Sequence, residues 1–182
     1  MDHVIRAVRA EEWAKAREIR LAALQDPAAP FAFLETYEQA VQKPDAFWRD
    51  RAAAVGEGVV ARQFIAEAGD GRWLGTLTVL VERPAGKVRF GEAAKRDQTH
   101  VVGVFVRPQA RGTGVAKGLF EAAMEWSWAL EGPRIERVRL YVDERNARAA
   151  AFYRRIGFVP SGESVPVPGD PSARERELEI WR

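Results

Sequence analysis

The stretch Val101-Val102-Gly103-Val104-Phe105-Val106-Arg107-Pro108-Gln109-Ala110-Arg111-Gly112-Thr113-Gly114-Val115-Ala116-Lys117 passes from an apolar run through a glycine turn into a helical pattern. Thr99 to Val106 predicts a strand buried on both faces, because nearly every position is apolar. Arg107-Pro108 stops it. From Gly114 to about Leu130, the residues Leu119, Phe120, Ala123, Met124 and Trp128 recur on adjoining turns and predict a long helix, closed by Gly132-Pro133. A glycine-rich turn that enters a helix points unpaired backbone N–H groups and the positive end of the helix dipole at one spot, which suits an anion such as a pyrophosphate. Spacing removes two such cradles. A dinucleotide turn needs G-x-G-x-x-G, but Lys117 stands in the third slot. A nucleotide-triphosphate loop needs Gly-Lys-Ser/Thr after four residues, but Lys117 precedes Gly118.

Working outward toward the N-terminus, Thr99 is preceded by a polar, glycine-containing loop from Arg83 to Gln98. Before it, Val59 to Glu67 and Trp73 to Glu82 flank Gly69-Asp70-Gly71 and predict a β-hairpin. Val4 to Val8 predicts a short strand, and Glu11 to Leu24 a helix with Trp13, Ala16, Ile19, Ala23 and Leu24 on one face. The segment from Pro27 to Val55 lacks a clean period until Pro44 opens a second helix through Phe47 and Trp48, and it predicts a mobile helical flap. Toward the C-terminus, Val138, Leu140 and Val142 alternate in a strand from Arg137 to Val142, and a short helix runs from Asn146 to Ile156. Phe158-Val159 starts another strand. The last strand, Ala173 to Trp181, alternates Glu175, Glu177 and Glu179 with Arg176, Leu178 and Ile180, which predicts one solvent-facing side. The order βααβββαβαββ, without repeat or linker, predicts an α/β class: one domain over residues 1–182, built on one mixed, mostly antiparallel sheet flanked by helices.

Composition narrows the chemistry. The 182 residues include no cysteine, which excludes disulfides, thiolate zinc sites and a cysteine nucleophile, and two histidines, His3 and His100, too few for a convincing metal cluster. No metal is expected. The apolar runs fall far short of the ~20 residues that span a bilayer, and Met1-Asp2-His3 starts no secretory signal, so the expectation is a cytoplasmic protein with no membrane partner. Lys and Arg number 28 against 26 Asp and Glu, a formal charge of +2 that names no partner. The arginines from Arg134 to Arg155 can meet phosphates or only water. The aromatic residues lack the spacing of a base-stacking platform, so nucleic acid is not expected.

What fits the turn is R/Q-x-x-G-x-G/A, filled by Arg111, Gly114 and Ala116 after Val104-Phe105-Val106. A second signature follows in Leu140-Tyr141-Val142, Asn146, Ala149, Phe152-Tyr153 and Gly157-Phe158. In these two motifs and their order, the chain resembles the GCN5-related N-acetyltransferase (GNAT) family. The resemblance implies acetyl-CoA as co-substrate, its pantetheine arm pairing with the backbone of Val104, Phe105 and Val106 as an added strand. It implies that the backbone from Arg111 and Gly112 through Thr113, Gly114, Val115, Ala116 and Lys117 holds the pyrophosphate, with small residues at Gly114 and Ala116 allowing close approach. Asn146 is the expected polar contact for the arm, and an N-cap besides. Tyr153 is the expected general acid. For the base, Glu67 stands first, with Glu35, Glu38, Glu92 and His100 behind it. Tyr141 occupies the strand slot that is glutamate in ribosomal-protein N-terminal acetyltransferases, so the resemblance does not extend to that subgroup's substrate. The activity implied is direct attack of a primary amine, from a small molecule or peptide, on the bound thioester; the rival is a catalytically silent acyl-CoA sensor. A homodimer is compatible with the resemblance.

Overall fold

Seven strands, β1 (His3–Ala7), β2 (Ala61–Ala68), β3 (Trp73–Glu82), β4 (Gln98–Val106), β5 (Arg137–Asp143), β6 (Val159–Val167) and β7 (Asp170–Trp181), join in one sheet of order β1-β2-β3-β4-β5-β7-β6. The computed structural model describes residues 2–182; Met1, read above with Asp2 and His3 for a leader, lies outside them. Every neighbouring pair is antiparallel except β4 with β5. The helices are α1 (Trp13–Leu24), α2 (Ala29–Ala32), α3 (Tyr37–Val41), α4 (Asp45–Glu57), α5 (Val115–Ala129) and α6 (Ala147–Arg155).

The expected α/β class and mostly antiparallel sheet are present. The β2–β3 hairpin closes through paired bonds between Ala68 and Arg72 and between Gly71 and Ala68, each 2.9 Å. On one side of the sheet, α5 buries Val115, Leu119, Phe120 and Ala123 against Leu77, Val79, Val101 and Leu140. Burying each such side chain contributes about 1.5–3 kcal/mol for the larger residues. On the other side, Ile19 and Ala23 of α1 pack on Ile65, Trp73 and Phe105. A helix layer therefore covers each face.

Two expectations change. The segment read as a flap folds into α2, α3 and α4, and Trp48 packs with Leu24 and Ala40. Its period was obscured because α2 and α3 have only 4 and 5 residues. Nor does the glutamate side of β7 face solvent: register sets Glu177 opposite Tyr141 and Glu179 opposite Arg139. Glu177 is 2% exposed, because the facing arginines of β5 neutralise it. The alternation marked a charged interior seam.

Candidate active site

The parallel pair β4–β5 holds together only from Gln98↔Arg137 to His100↔Arg139. Beyond that point β5 keeps its bonds to β7 while β4 keeps its bonds to β3, and the two strands part. Three residues of β3, from Thr76 to Thr78, face four of β4, from Phe105 to Val102, so β4 carries a bulge there. Gly103 takes the φ of +63° that the bulge requires. The consequence is an open V whose β4 arm, residues 101–106, leaves its backbone edge toward β5 unpaired.

A buried ion network stiffens the closed end of the V. Arg139 is 1% exposed and pairs with Glu82 at 2.7 Å and Glu177 at 2.9 Å, while His100 Nδ1 lies 2.9 Å from Glu82. Burial opposes ionisation of Glu82, but the hydrogen bonds of His100 and Gln98 and the charge of Arg139 outweigh it and hold its pKa below the ordinary range. Tyr141 joins the same network, donating to Glu177 at 3.1 Å and accepting from Arg139 at 3.1 Å and from the Glu92 N–H at 3.0 Å. Burial pushes its hydroxyl up to about 12, and with three partners it is occupied. The loop from Arg83 to Gln98 is tied to β5 through Glu92 and by Phe90, whose ring meets Tyr141 edge-on at 5.2 Å.

On the α5–α6 side of the V lies a cleft of about 360 Å³. Val104, Phe105 and Val106 line it, with Arg111, Gly112, Gly114, Ala116 and Lys117 from the turn. Gly114 precedes α5 at φ +90°, and nothing lies within 4 Å of where a Cβ would stand. The first bond of the helix runs from Gly118 N–H to Gly114 C=O at 3.0 Å, and among the described residues no backbone acceptor meets the N–H groups of Gly112 through Lys117. These donors, with the exposed Arg148 and Arg155 on α6, form a cradle for anionic oxygens. At two of these positions only the backbone faces the cleft: the Val115 side chain is fully buried, and Thr113 Oγ1 donates to Ala110 C=O at 2.6 Å. Arg111 serves structure first, donating to Val106 C=O at 3.0 Å and pairing with Asp26.

On the α1–α4 side lies a second cleft, of about 270 Å³, lined by Arg20, Glu35, Arg51, Phe90, His100, Tyr141 and Glu175. Ala32, Phe33, Val104, Asn146, Ala149 and Tyr153 border both clefts, so the two meet at the V. Asn146 caps α6, its Oδ1 accepting from Ala149 N–H at 3.2 Å, and still borders the junction. Tyr153 is 8% exposed, and among the described residues its hydroxyl has no hydrogen-bond partner. Burial, with the nearby Glu175 charge, pushes its pKa far up, so it keeps its proton.

Glu67 is not brought to either cleft. Its carboxylate bonds Arg6 at 2.7 Å and lies 3.5 Å from Lys15, and the Arg6 bond, against a smaller burial cost, holds its pKa at about 2. Of the other carboxylates weighed, Glu35 lines the second cleft but is taken by Arg20 and Lys43, while the Glu38 and Glu92 side chains stand exposed outside it. Glu175 was missed. It sits opposite Asp143 across β5–β7, lines the second cleft, and has no side-chain hydrogen bond among the described residues. Burial first, then the Asp143 charge, against a smaller opposing effect of Arg145, pushes it up to about 7. Strand alternation set it on the charged side of β7, but only the V shows that this side opens on a cleft. The arginine-rich stretch is divided: Arg137, Arg139 and Arg145 are paired structurally, and Arg148 and Arg155 reach the first cleft.

A sequence model of the Acetyltransferase (GNAT) family matches residues 21–158. The chain belongs to this family. Among curated relatives of this GNAT protein, a mycothiol acetyltransferase of Salinispora arenicola is 42% identical over 81 residues, 44% of this chain and 23% of that protein. The 5-NmdU N-acetyltransferase of Pseudomonas phage PaMx11 is 34% identical over 74 residues, 41% of this chain and 49% of that protein. The chain thus spans less than half the length of both relatives. Among solved structures, PaiA N-acetyltransferase from Thermoplasma acidophilum, in complex with coenzyme A, matches with a TM-score of 0.70 at 17% identity over 100% of both chains. The GNAT domain of S. lividans PAT matches with a TM-score of 0.71 at 17% identity, over 99% of this chain and 90% of that one. These structural likenesses establish the GNAT fold. No helix of the described residues is long and apolar enough to cross a membrane.

Proposed function

We propose that this GNAT protein transfers the acetyl group of acetyl-CoA to a primary amine by direct attack, with donor and acceptor meeting at the V between β4 and β5. The observation that carries the reading is the meeting of two clefts at Tyr153 and Asn146, one with a phosphate cradle and one with titratable groups. The unacceptored N–H groups from Gly112 to Lys117 and the open space at Gly114 fit a pyrophosphate. The open edge at Val104, Phe105 and Val106 fits a pantetheine arm added as a strand.

A lysine-like amine of pKa ~10.4 is neutral only about one part in a few thousand at pH 7, a cost of about 4–5 kcal/mol. The base in this reading is Glu175, not Glu67. Glu175 is unpaired, borders the acceptor cleft and titrates near the working pH, where a base is most effective. Glu67 is locked by Arg6 far from that range. Glu175 accepts a proton from the ammonium, and the amine nitrogen attacks the thioester carbon. An outward N–H of the unpaired β4 edge steadies the oxyanion, the C–S bond breaks as Tyr153 gives its proton to the departing thiolate, and the second proton of the attacking nitrogen returns to the Tyr153 oxygen, leaving a neutral amide. A second base is supported by one observation: His100 lines the same cleft with its Nδ1 fixed by Glu82. Thiol release from acetyl-CoA with a panel of amines tests the function. Amine-dependent release supports it. Coenzyme A binding without release favours the silent acyl-CoA sensor.

A further inference from the structure

The charges of the acceptor cleft are not all paired with one another. Its lining carries Arg20, Arg51, Glu35 and Glu175. Arg20 is accounted for, with Nε and Nη2 at 3.2 and 3.1 Å from Glu35. Glu35 is accounted for twice over, because Lys43 also pairs with it. Arg51 is not accounted for. It projects from α4, reaches solvent, and among the described residues makes no hydrogen bond or ion pair. Its surroundings disfavour the charge: partial desolvation, then the like charge of Arg20, lower its pKa, Glu35 offsets this in part, and Arg89 adds to the lowering, while its exposed end stays open to solvent and to a ligand. A guanidinium kept unpaired in a concave wall beside two other arginines is a receptor for a planar or tetrahedral anion, which its fixed fork can grip with two bonds.

The acetyl donor is not that anion. Arg51 does not border the donor cleft, which has its own cations in Lys117, Arg148 and Arg155. Nor does the cleft suit a polycation. Such an acceptor needs several free carboxylates, whereas Glu35 is shared by two cations and, among the described residues lining the cleft, Glu175 is the one unpaired carboxylate. Among the described residues, the arrangement sets one free cation and one free carboxylate in a single cavity of about 270 Å³, the size for a small molecule or the tip of a larger one.

Resting on the acetyltransfer reading above, we infer that the acceptor is an amine that also bears an anionic group, a carboxylate or a phosphate, bound by Arg51 while the amine faces Glu175 and the thioester. Carboxylate and phosphate share this chemistry, and the test separates them. Steady-state thiol release from acetyl-CoA is measured for the full chain with three sets of amines: amino acids against their amides, aminoalkyl phosphates against the matching amino alcohols, and spermidine. The expected result is a kcat/KM about tenfold to a hundredfold higher for one anionic set than for its neutral counterparts, the range of a hydrogen-bonded charge pair. The set that shows the gap names the anion. Arg51→Ala should bring the favoured anionic amines down to the level of their neutral partners, chiefly through KM. The calorimetric affinity for coenzyme A should stay unchanged. Arg51→Lys should restore part of the preference, which a merely structural role would not. Equal rates for anionic and neutral amines, a preference for spermidine, or a preference that survives Arg51→Ala would overturn the inference while leaving acetyltransfer intact. Absence of release with every amine, in a protein that binds coenzyme A, would instead overturn the acetyltransfer reading, and the inference with it.

Discussion

Replacing Glu175 by glutamine should make the protein more stable and less active at once. The carboxyl lies against Asp143 and the cleft wall, which move it from 4.5 to about 7. A carboxyl whose folded pKa is raised favours folding while protonated; that contribution is complete below the unfolded pKa and is lost as pH rises through the folded one. Between about pH 5.5 and about pH 8.5 the wild type should therefore lose about 2 kcal/mol through this group, with solvent screening at the partly open cleft bringing the change toward about 1 kcal/mol. Glutamine has the same shape and no charge, so Glu175→Gln should lack this loss. In urea unfolding the variant should match the wild type near pH 5.5 and exceed it by about 1–2 kcal/mol near pH 8.5. Turnover should move the other way, falling about a hundredfold to ten-thousandfold, the usual contribution of a positioned base. The wild-type kcat/KM should rise through about pH 7, and the variant should lack that limb. A stability gap that does not grow with pH would show that Glu175 is not held near 7. A variant whose rate still rises through pH 7 would show that Glu175 is not the base.

Other residues give independent checks. Ala116→Glu places an anion in the donor cleft within the first turn of α5, free of the strain that Gly114, at φ +90°, would impose on any substitute; calorimetry should show coenzyme A affinity reduced at least about a hundredfold, with thermal stability within about 1 kcal/mol of wild type. Tyr153→Phe removes a hydroxyl that has no partner among the described residues, so kcat should fall about tenfold or more while the dissociation constant of coenzyme A, measured by calorimetry, stays within about twofold. Arg139→Met leaves Glu82 and Glu177 buried without their shared cation, and denaturant unfolding should record a loss of about 3–5 kcal/mol.

The wall of the proposed donor cleft was readable because it is local. The run from Val104 to Lys117 puts strand, turn and helix start in consecutive residues, and its open N–H groups belong to the backbone, so a pattern of small residues and one apolar strand suffices. The long helices and the hairpin were readable from period for the same reason. The acceptor side is assembled across the chain. Arg51 comes from α4, Tyr153 from α6 and Glu175 from β7, and no spacing relates them. Glu67 and Glu175 look alike as strand glutamates; what separates them is that Arg6 of the neighbouring strand β1 bonds one, and among the described residues no side chain bonds the other. The charged side of β7 was misread because an alternation of Glu and Arg is the same pattern whether water or a facing arginine neutralises it.

A crystal structure with acetyl-CoA tests the central claim most directly. The pyrophosphate should rest on the backbone N–H groups from Gly112 to Lys117, the arm should run along Val104 to Val106, and the thioester should sit at the V between Tyr153 and the cleft that holds Glu175 and Arg51. A nucleotide bound away from the glycine turn, or a thioester directed away from that cleft, would contradict the account.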